Sequence, residues 1–343
     1  MSLKDEIYFQ PANLGGKKNS RAILAFYITG NPGLIEYYRP FLSRLNRRLT
    51  EENGRDGENS KEVHVYGSSL EGFQVQSAPK SVSQGPLSLA DEIACVKARF
   101  EALCRDIASQ YDEPLEVIVL GHSVGAYIML ELYNATLASK PSEGQSRYEI
   151  KGLIGLFPTV VHIVKSPNGR KFGKLLQLAH IPLIISSMAY LLFAWQPLGL
   201  VTALLRLLLG MPEHGARTTA AFLKSDHGVR QALFMASDEM HSITADTWDD
   251  SFWLHDRAEQ KPKMYFYFGT NDHWVDDASR NSLMKSRGRR GTVTEAGVHS
   301  NENLAKPLME IDGNGVPHAF CFDHSEAIAD KAVSYICNAL RES

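Results

Sequence analysis

The residues Gly121-His122-Ser123-Val124-Gly125 are the stretch of this chain best suited to covalent chemistry. A serine with glycines two positions away on either side fits a sharp strand-to-helix turn, which holds the hydroxyl clear of the backbone. The flanking sequence supplies both halves of that turn. LEVIVLGHS, Leu115 to Ser123, reads as a fully buried strand, and VGAYIMLELYNATLA reads as a helix. Gly121 and Gly125 give the turn its space, and His122 reads as a packing residue inside it. The backbone N–H of Val124, at the helix start, would point to where an oxyanion forms.

A serine is a poor nucleophile near neutral pH without a base, and the base needs a carboxylate to orient it. On a strand-to-helix elbow the chain order is serine, acid, histidine. FGTND ends a late apolar strand and puts Asp272 at its tip; Asp276 and Asp277 are alternatives that read better as the start of the next helix. The base belongs on a loop before the last helix. GVPHAFCFDHSEA offers His318, after a Gly-Val-Pro turn, and His324, which fits a helix start; His299 lies further upstream. The reading favours His318. A second oxyanion donor belongs in the loop after the first buried strand, ITGNPG. Pro32 has no N–H, so Asn31 is the candidate, with Thr29 where many hydrolases carry histidine.

Strands alternating with helices must position these residues. RAILAFYITGNPG is a buried strand ending in a tight loop, and YYRPFLSRLNRRL has helical spacing. Thr50 to Lys61 is polar and reads as a surface loop. EVHVYGSSL is the next strand. Ser88 to Asp112 is an amphipathic helix with Leu89, Ile93, Val96, Phe100 and Leu103 on one stripe, Ser88 as N-cap and Asp91 at N3. YEIKGLIGLFP and KMYFYFGTND are strands, DDASRNSLMKS a helix, GTVTEAG a short strand, and DHSEAIADKAVSYICNAL the closing helix. This pattern predicts an α/β fold with a mostly parallel central sheet and helices on both faces. Residues 1–158 and 261–343 form its core, and 159–260 are an insertion.

With 343 residues and a net charge of −3, the chain gives no electrostatic case for nucleic acid. Its four cysteines have no metal-ligand spacing, and neither a metal nor an organic cofactor is implied. The first residues, MSLKDEIYFQ, have no apolar signal region, so synthesis on the cytosolic side is expected.

GNPGLIEYYRPFL, LGHSVGAY, GLFPTVVHIVKSPNGRKF, GTNDHWV and PHAFCFDHSE together resemble the lipid droplet-associated hydrolase family of the α/β-hydrolase superfamily. The resemblance covers nearly the whole chain. It implies a Ser–Asp–His triad falling on Ser123, Asp272 and His318. It further implies a serine esterase, often given as a sterol ester hydrolase, resident on lipid droplets and the endoplasmic reticulum.

From Leu175 to Leu205 the chain has no charged residue. As one helix this run would extend about 46 Å, enough for a bilayer core. Pro182 and Pro197 interrupt it, and the pieces 183–196 and 198–210 each fall short of the roughly 20 residues a span needs. The expectation is a helical cap insertion carrying an apolar hairpin over 175–210. Because Ser123 precedes the run and Asp272 and His318 follow it, a single crossing would separate the nucleophile from its base. A hairpin in a droplet monolayer avoids this. Lys165, Arg170, Lys171 and Lys174 precede it and suit anionic head groups. Trp195 and Pro197 mark its turn, and Arg206 and His180 are placed to snorkel. The alternative is two greasy helices buried over the site. The leading function is hydrolysis of an apolar lipid ester. An acyltransferase or thioesterase would use the same triad, and a droplet-surface protein without turnover would need only the hairpin.

Overall fold

The computed structural model describes residues 3–11, 21–55, 60–75, 85–138, 147–176, 178, 180–256, 261–289 and 305–341. Seven strands form one sheet: β1 (Glu6–Phe9), β2 (Ala22–Ile28), β3 (Glu62–Ser68), β4 (Leu115–His122), β5 (Tyr148–Leu156), β6 (Lys263–Phe268) and β7 (Leu308–Ile311). Their order is β1-β3-β2-β4-β5-β6-β7. Only β1 runs antiparallel, against β3. The central strands are buried end to end, as all seven residues of β2 and all six of β6 show. Both faces are covered, so these strands carry continuous apolar runs instead of alternating ones.

Three helices bring order to the first half: α1 (Arg39–Gly54), α2 (Leu89–Ala108) and α3 (Val124–Ala138). The expected capping box of α2 forms: the Ser88 hydroxyl accepts from the Asp91 amide, and the Asp91 carboxylate accepts from the Ser88 amide. Its buried stripe is Leu89, Glu92, Val96, Phe100, Cys104 and Ile107, while Ile93 and Leu103 are only half-buried. Helix α1 continues to Gly54, through the start of the segment expected as a surface loop. Its charges stabilise the helix, because Arg48 pairs with Glu51 at 2.8 Å and Glu52 at 3.5 Å on its outer face while Leu45 and Leu49 are buried.

Between β5 and β6, the segment expected as an insertion holds α4 (Pro167–Leu176), α5 (Ile181–Phe193), α6 (Leu198–Leu209), α7 (Glu213–Lys224) and α8 (Gly228–Ser242). The chain then closes with α9 (Asp277–Arg287) and α10 (Ser325–Arg341). Pro182 lies in the first turn of α5 and Pro197 is the N-cap of α6, so the prolines that interrupt the apolar run do so by starting its two helices. Strands β1 and β7 were not anticipated. Both are four-residue edge strands, too short for a period to show. The strand expected at GTVTEAG lies outside the described residues, as does His299.

Candidate active site

Ser123 follows directly on β4 and has φ 54°, the left-handed region that a non-glycine residue occupies only under constraint. The constraint is visible around it. A Cβ on Gly121 would collide with the carbonyl of Gly125, and one on Gly125 would sit 2.5 Å from the carbonyls of Ile28 and Thr29. Helix α3 therefore approaches β2 closely enough to hold the turn. The Ser123 amide donates to the Leu156 carbonyl at 3.1 Å, and its own carbonyl accepts from Ala126 at 3.0 Å.

The Ser123 Oγ lies 2.9 Å from Nε2 of His318, and Nδ1 of His318 lies 2.6 Å from Oδ2 of Asp272. A carboxylate only accepts, so Nδ1 carries the proton and Nε2 is left to accept from the serine hydroxyl. Asp272 is buried, and its other oxygen accepts from the Trp274 amide at 2.8 Å. Asp276 instead caps α9 through the Ser279 amide, and His324 precedes α10, where its carbonyl accepts from the Ile328 amide. Asp277 pairs with Arg280 at 2.9 Å. The three side chains favoured in the sequence meet, and their neighbours take up structural roles.

Three supports were missed in the sequence. His122, fully buried, has a determined proton arrangement. Its Nε2 lies 2.9 Å from the His318 carbonyl and must donate, so Nδ1 accepts from the Tyr38 hydroxyl at 2.7 Å. The Tyr38 oxygen in turn accepts from the Gly30 amide at 3.2 Å. One imidazole thus connects the loop after β2, the serine turn and the histidine loop. Burial first, then the neighbouring His318, keeps its pKa well below the usual histidine value, so it stays neutral. Asp312, on the loop after β7, accepts from the Tyr267 hydroxyl at 2.6 Å and the Val316 amide at 2.7 Å, which sets the turn into His318. Its burial pushes its pKa up, but these bonds outweigh that and leave it lowered. Arg280 is buried and donates to the Gly269 carbonyl at 3.0 Å, steadying the strand end before Asp272.

Among the described residues neither the Val124 amide nor the Asn31 amide has an acceptor. The Asn31 side chain reaches α8 through its NH2 group, which donates to the Ala232 carbonyl and the Glu239 carboxyl, each at 3.0 Å. It is α7 and α8 that meet the site loops: Tyr37 bonds Thr219 at 2.9 Å, and His214 bonds the Cys321 carbonyl at 2.9 Å. The apolar pair α5 and α6 stacks on α7 and α8.

That pair has an inverted pattern. Its buried side chains are small or polar, Ser186, Val201 and Thr202, while Leu191, Trp195, Leu207 and Leu208 are 70%, 84%, 81% and 73% exposed. Lys171, Lys174 and Pro197 are exposed as well. Arg206 is exposed but ion-paired with Glu213. Lys224 of α7 donates to the carbonyls of Phe193, Ala194 and Gln196 at 3.1, 2.6 and 2.5 Å, satisfying the open end of α5. Among the described residues no single helix is long and apolar enough to cross a membrane, and no group of three or more His, Cys, Asp or Glu side chains could hold a metal ion.

The parallel sheet, the serine turn after β4 and the loops after β6 and β7 define an α/β-hydrolase fold. Solved structures share it: a peroxisomal alpha-beta-hydrolase from Saccharomyces cerevisiae superposes with a TM-score of 0.62 at 12% identity, over 98% of this chain and 82% of that one. A haloalkane dehalogenase from Bradyrhizobium elkani gives 0.54 at 13% identity, over 99% of this chain and 100% of that one. More narrowly, residues 21–321 match the model of the lipid-droplet associated hydrolase family, and the chain belongs to that family. Its relatives include the lipid droplet-associated hydrolases of Gallus gallus, 25% identical over 75% of this chain and 72% of that protein, and of Mus musculus, 23% identical over 92% and 85%.

Proposed function

We propose that this hydrolase is a serine esterase cleaving apolar lipid esters, sterol esters among them, at a lipid droplet or endoplasmic reticulum surface facing the cytosol. The observation that carries the reading is the continuous hydrogen-bonded chain from Ser123 through His318 to Asp272, set on a strained turn. In the proposed reaction His318 Nε2 takes the hydroxyl proton as Ser123 Oγ attacks the ester carbonyl. Asp272 stabilises the imidazolium and keeps the ring in register. The Val124 and Asn31 amides bind the oxyanion. His318 then protonates the departing alcohol, and water repeats the sequence on the acyl-serine.

The α5–α6 pair is the proposed lipid contact, with 159–260 as the cap that bears it. Large apolar side chains face outward there and small ones inward, the reverse of a water-facing helix. The names of the relatives point to a droplet monolayer. Lys171 and Lys174 would approach its head groups while Trp195 and Pro197 enter at the turn. The test is labelling with a fluorophosphonate probe, with and without a sterol-ester emulsion, using Ser123→Ala as control. Labelling lost in the variant is expected. No labelling of the native chain would overturn the esterase reading in favour of a droplet-surface protein.

A further inference from the structure

We infer that Glu239, on α8 of the inserted segment, is a positioning residue that fixes the Asn31 backbone amide for oxyanion binding. The inference rests on the esterase reading above and assigns a role there to a carboxyl far from the triad in sequence.

Asn31 is held through its side chain. Both hydrogens of its NH2 group are used, one on the Ala232 carbonyl and one on Glu239 Oε1, each at 3.0 Å. Both acceptors belong to α8. Its Oδ1 is buried and has no donor among the described residues. An orphaned buried acceptor is costly, and a protonated carboxyl on the same amide supplies what it lacks. In the proposed arrangement Oε1 accepts from the NH2 group, as observed, and the acid proton is directed to Oδ1.

Glu239 is suited to keep that proton. It is 4% exposed, and burial, reinforced by Asp238 on the same helix, pushes its pKa up to about 8 against the opposing effect of the Asn31 bond. Helices α2, α4, α5 and α7 and the turn Ile163–Lys165 pack against α8; among the described residues their cations, Lys165, Lys97, Arg99, Arg105, Arg170, Lys171, Lys174, Arg217 and Lys224, form no ion pair with Glu239, and Asp238 is the charged group that acts on it. Helix α8 is itself tied to the start of α2. Gln231 bonds both the amide and the carbonyl of Leu87, at 2.8 and 2.9 Å, and Asp238 accepts from the Leu89 amide at 2.6 Å. On the other flank, Tyr38 holds Gly30. The loop is pinned from both sides, and on the α8 side Glu239 is the one side chain that holds Asn31, beside the Ala232 carbonyl.

The test compares native chain, Ser123→Ala, Glu239→Gln and Glu239→Ala on a soluble nitrophenyl ester between about pH 6 and 9, separating kcat from KM. Glu239→Ala should lower kcat by about 100-fold with KM within about twofold, since the misplaced donor acts on the transition state. Glu239→Gln should recover kcat to within about threefold, because a glutamine amide offers both the acceptor and the missing donor. Native kcat should fall as pH rises through about 8, and Glu239→Gln should lack that fall. Should Glu239→Ala melt below the assay temperature, the pH comparison of Glu239→Gln with the native chain decides alone. Glu239→Ala at native kcat, a Glu239→Gln variant as impaired as Glu239→Ala, or an identical high-pH limb in Glu239→Gln would each overturn the assignment. Turnover that survives Ser123→Ala would instead overturn the esterase reading beneath it.

Discussion

Replacing Leu207 and Leu208 together by serine tests the proposed lipid contact at two of its most exposed side chains. Both side chains lie near the end of α6, 81% and 73% exposed, so most of their apolar area still faces water. Burying a leucine side chain contributes about 2 kcal/mol, so these two together have about 3 kcal/mol to gain on entering hydrocarbon. Losing that gain lowers the partition coefficient by about 100-fold. The fold should not register the change, since neither side chain is part of the core, and the melting temperature should move by less than about 2 °C. The assay is flotation of purified protein with a phospholipid-coated triolein emulsion, comparing bound fractions over a range of emulsion concentrations. An unchanged partition coefficient at an unchanged melting temperature would refute the reasoning and leave the outward face of α6 unexplained by lipid.

Asp272→Asn should lower kcat by about 10⁴-fold on a soluble ester, because an amide nitrogen facing Nδ1 forces the imidazole into the tautomer that cannot accept from Ser123; a loss under about tenfold would remove Asp272 from the reaction. Glu92 is buried in α2, and burial above all pushes its pKa up to about 8. The unfolded chain releases this proton near the ordinary carboxyl pKa while the folded chain keeps it, so stability falls as pH rises between about 4.5 and 8, by at most about 1.4 kcal/mol per pH unit. Urea melts of Glu92→Gln at the two ends of that window should show a shallower fall than the native chain; parallel falls would contradict the buried acid.

The sequence carried the sheet core because its strands are covered on both faces and so read as unbroken apolar runs. It carried the serine turn because glycine at both 121 and 125 is demanded by backbone contact, and backbone demands leave residue-type signatures. Strands β1 and β7 had no such signature, since four residues at an edge gain their conformation from the neighbour they bond. Helix α1 outran expectation at Glu51 and Glu52, where a polar stretch was one face of a helix with its ion-pair partner three and four residues back. Among the site residues, Asp272 was legible from its place at the tip of a late strand and His318 from the turn before the last helix, within the chain order of serine, acid, histidine. Tyr38, His122, Asp312 and Glu239 were not, because each acts through a partner brought close only by folding. The partners of Glu239 and of His122, for instance, lie 208 and 196 residues away in sequence.

If α5 and α6 make the proposed lipid contact, the lysine at the end of α7 sets a limit on its depth. Three carbonyls at the tip of the apolar pair converge on the Lys224 ammonium. Under lipid, carbonyls that lose water need another donor, and here one cation serves all three. The tip can therefore go dry without unwinding. The same cation resists full transfer into oil, as any ammonium does. On the proposed lipid contact, a wedge built this way would submerge its outer leucines and tryptophan and float at the level of Lys224, holding Ser123, beyond α7 and α8, at a fixed height above the oil.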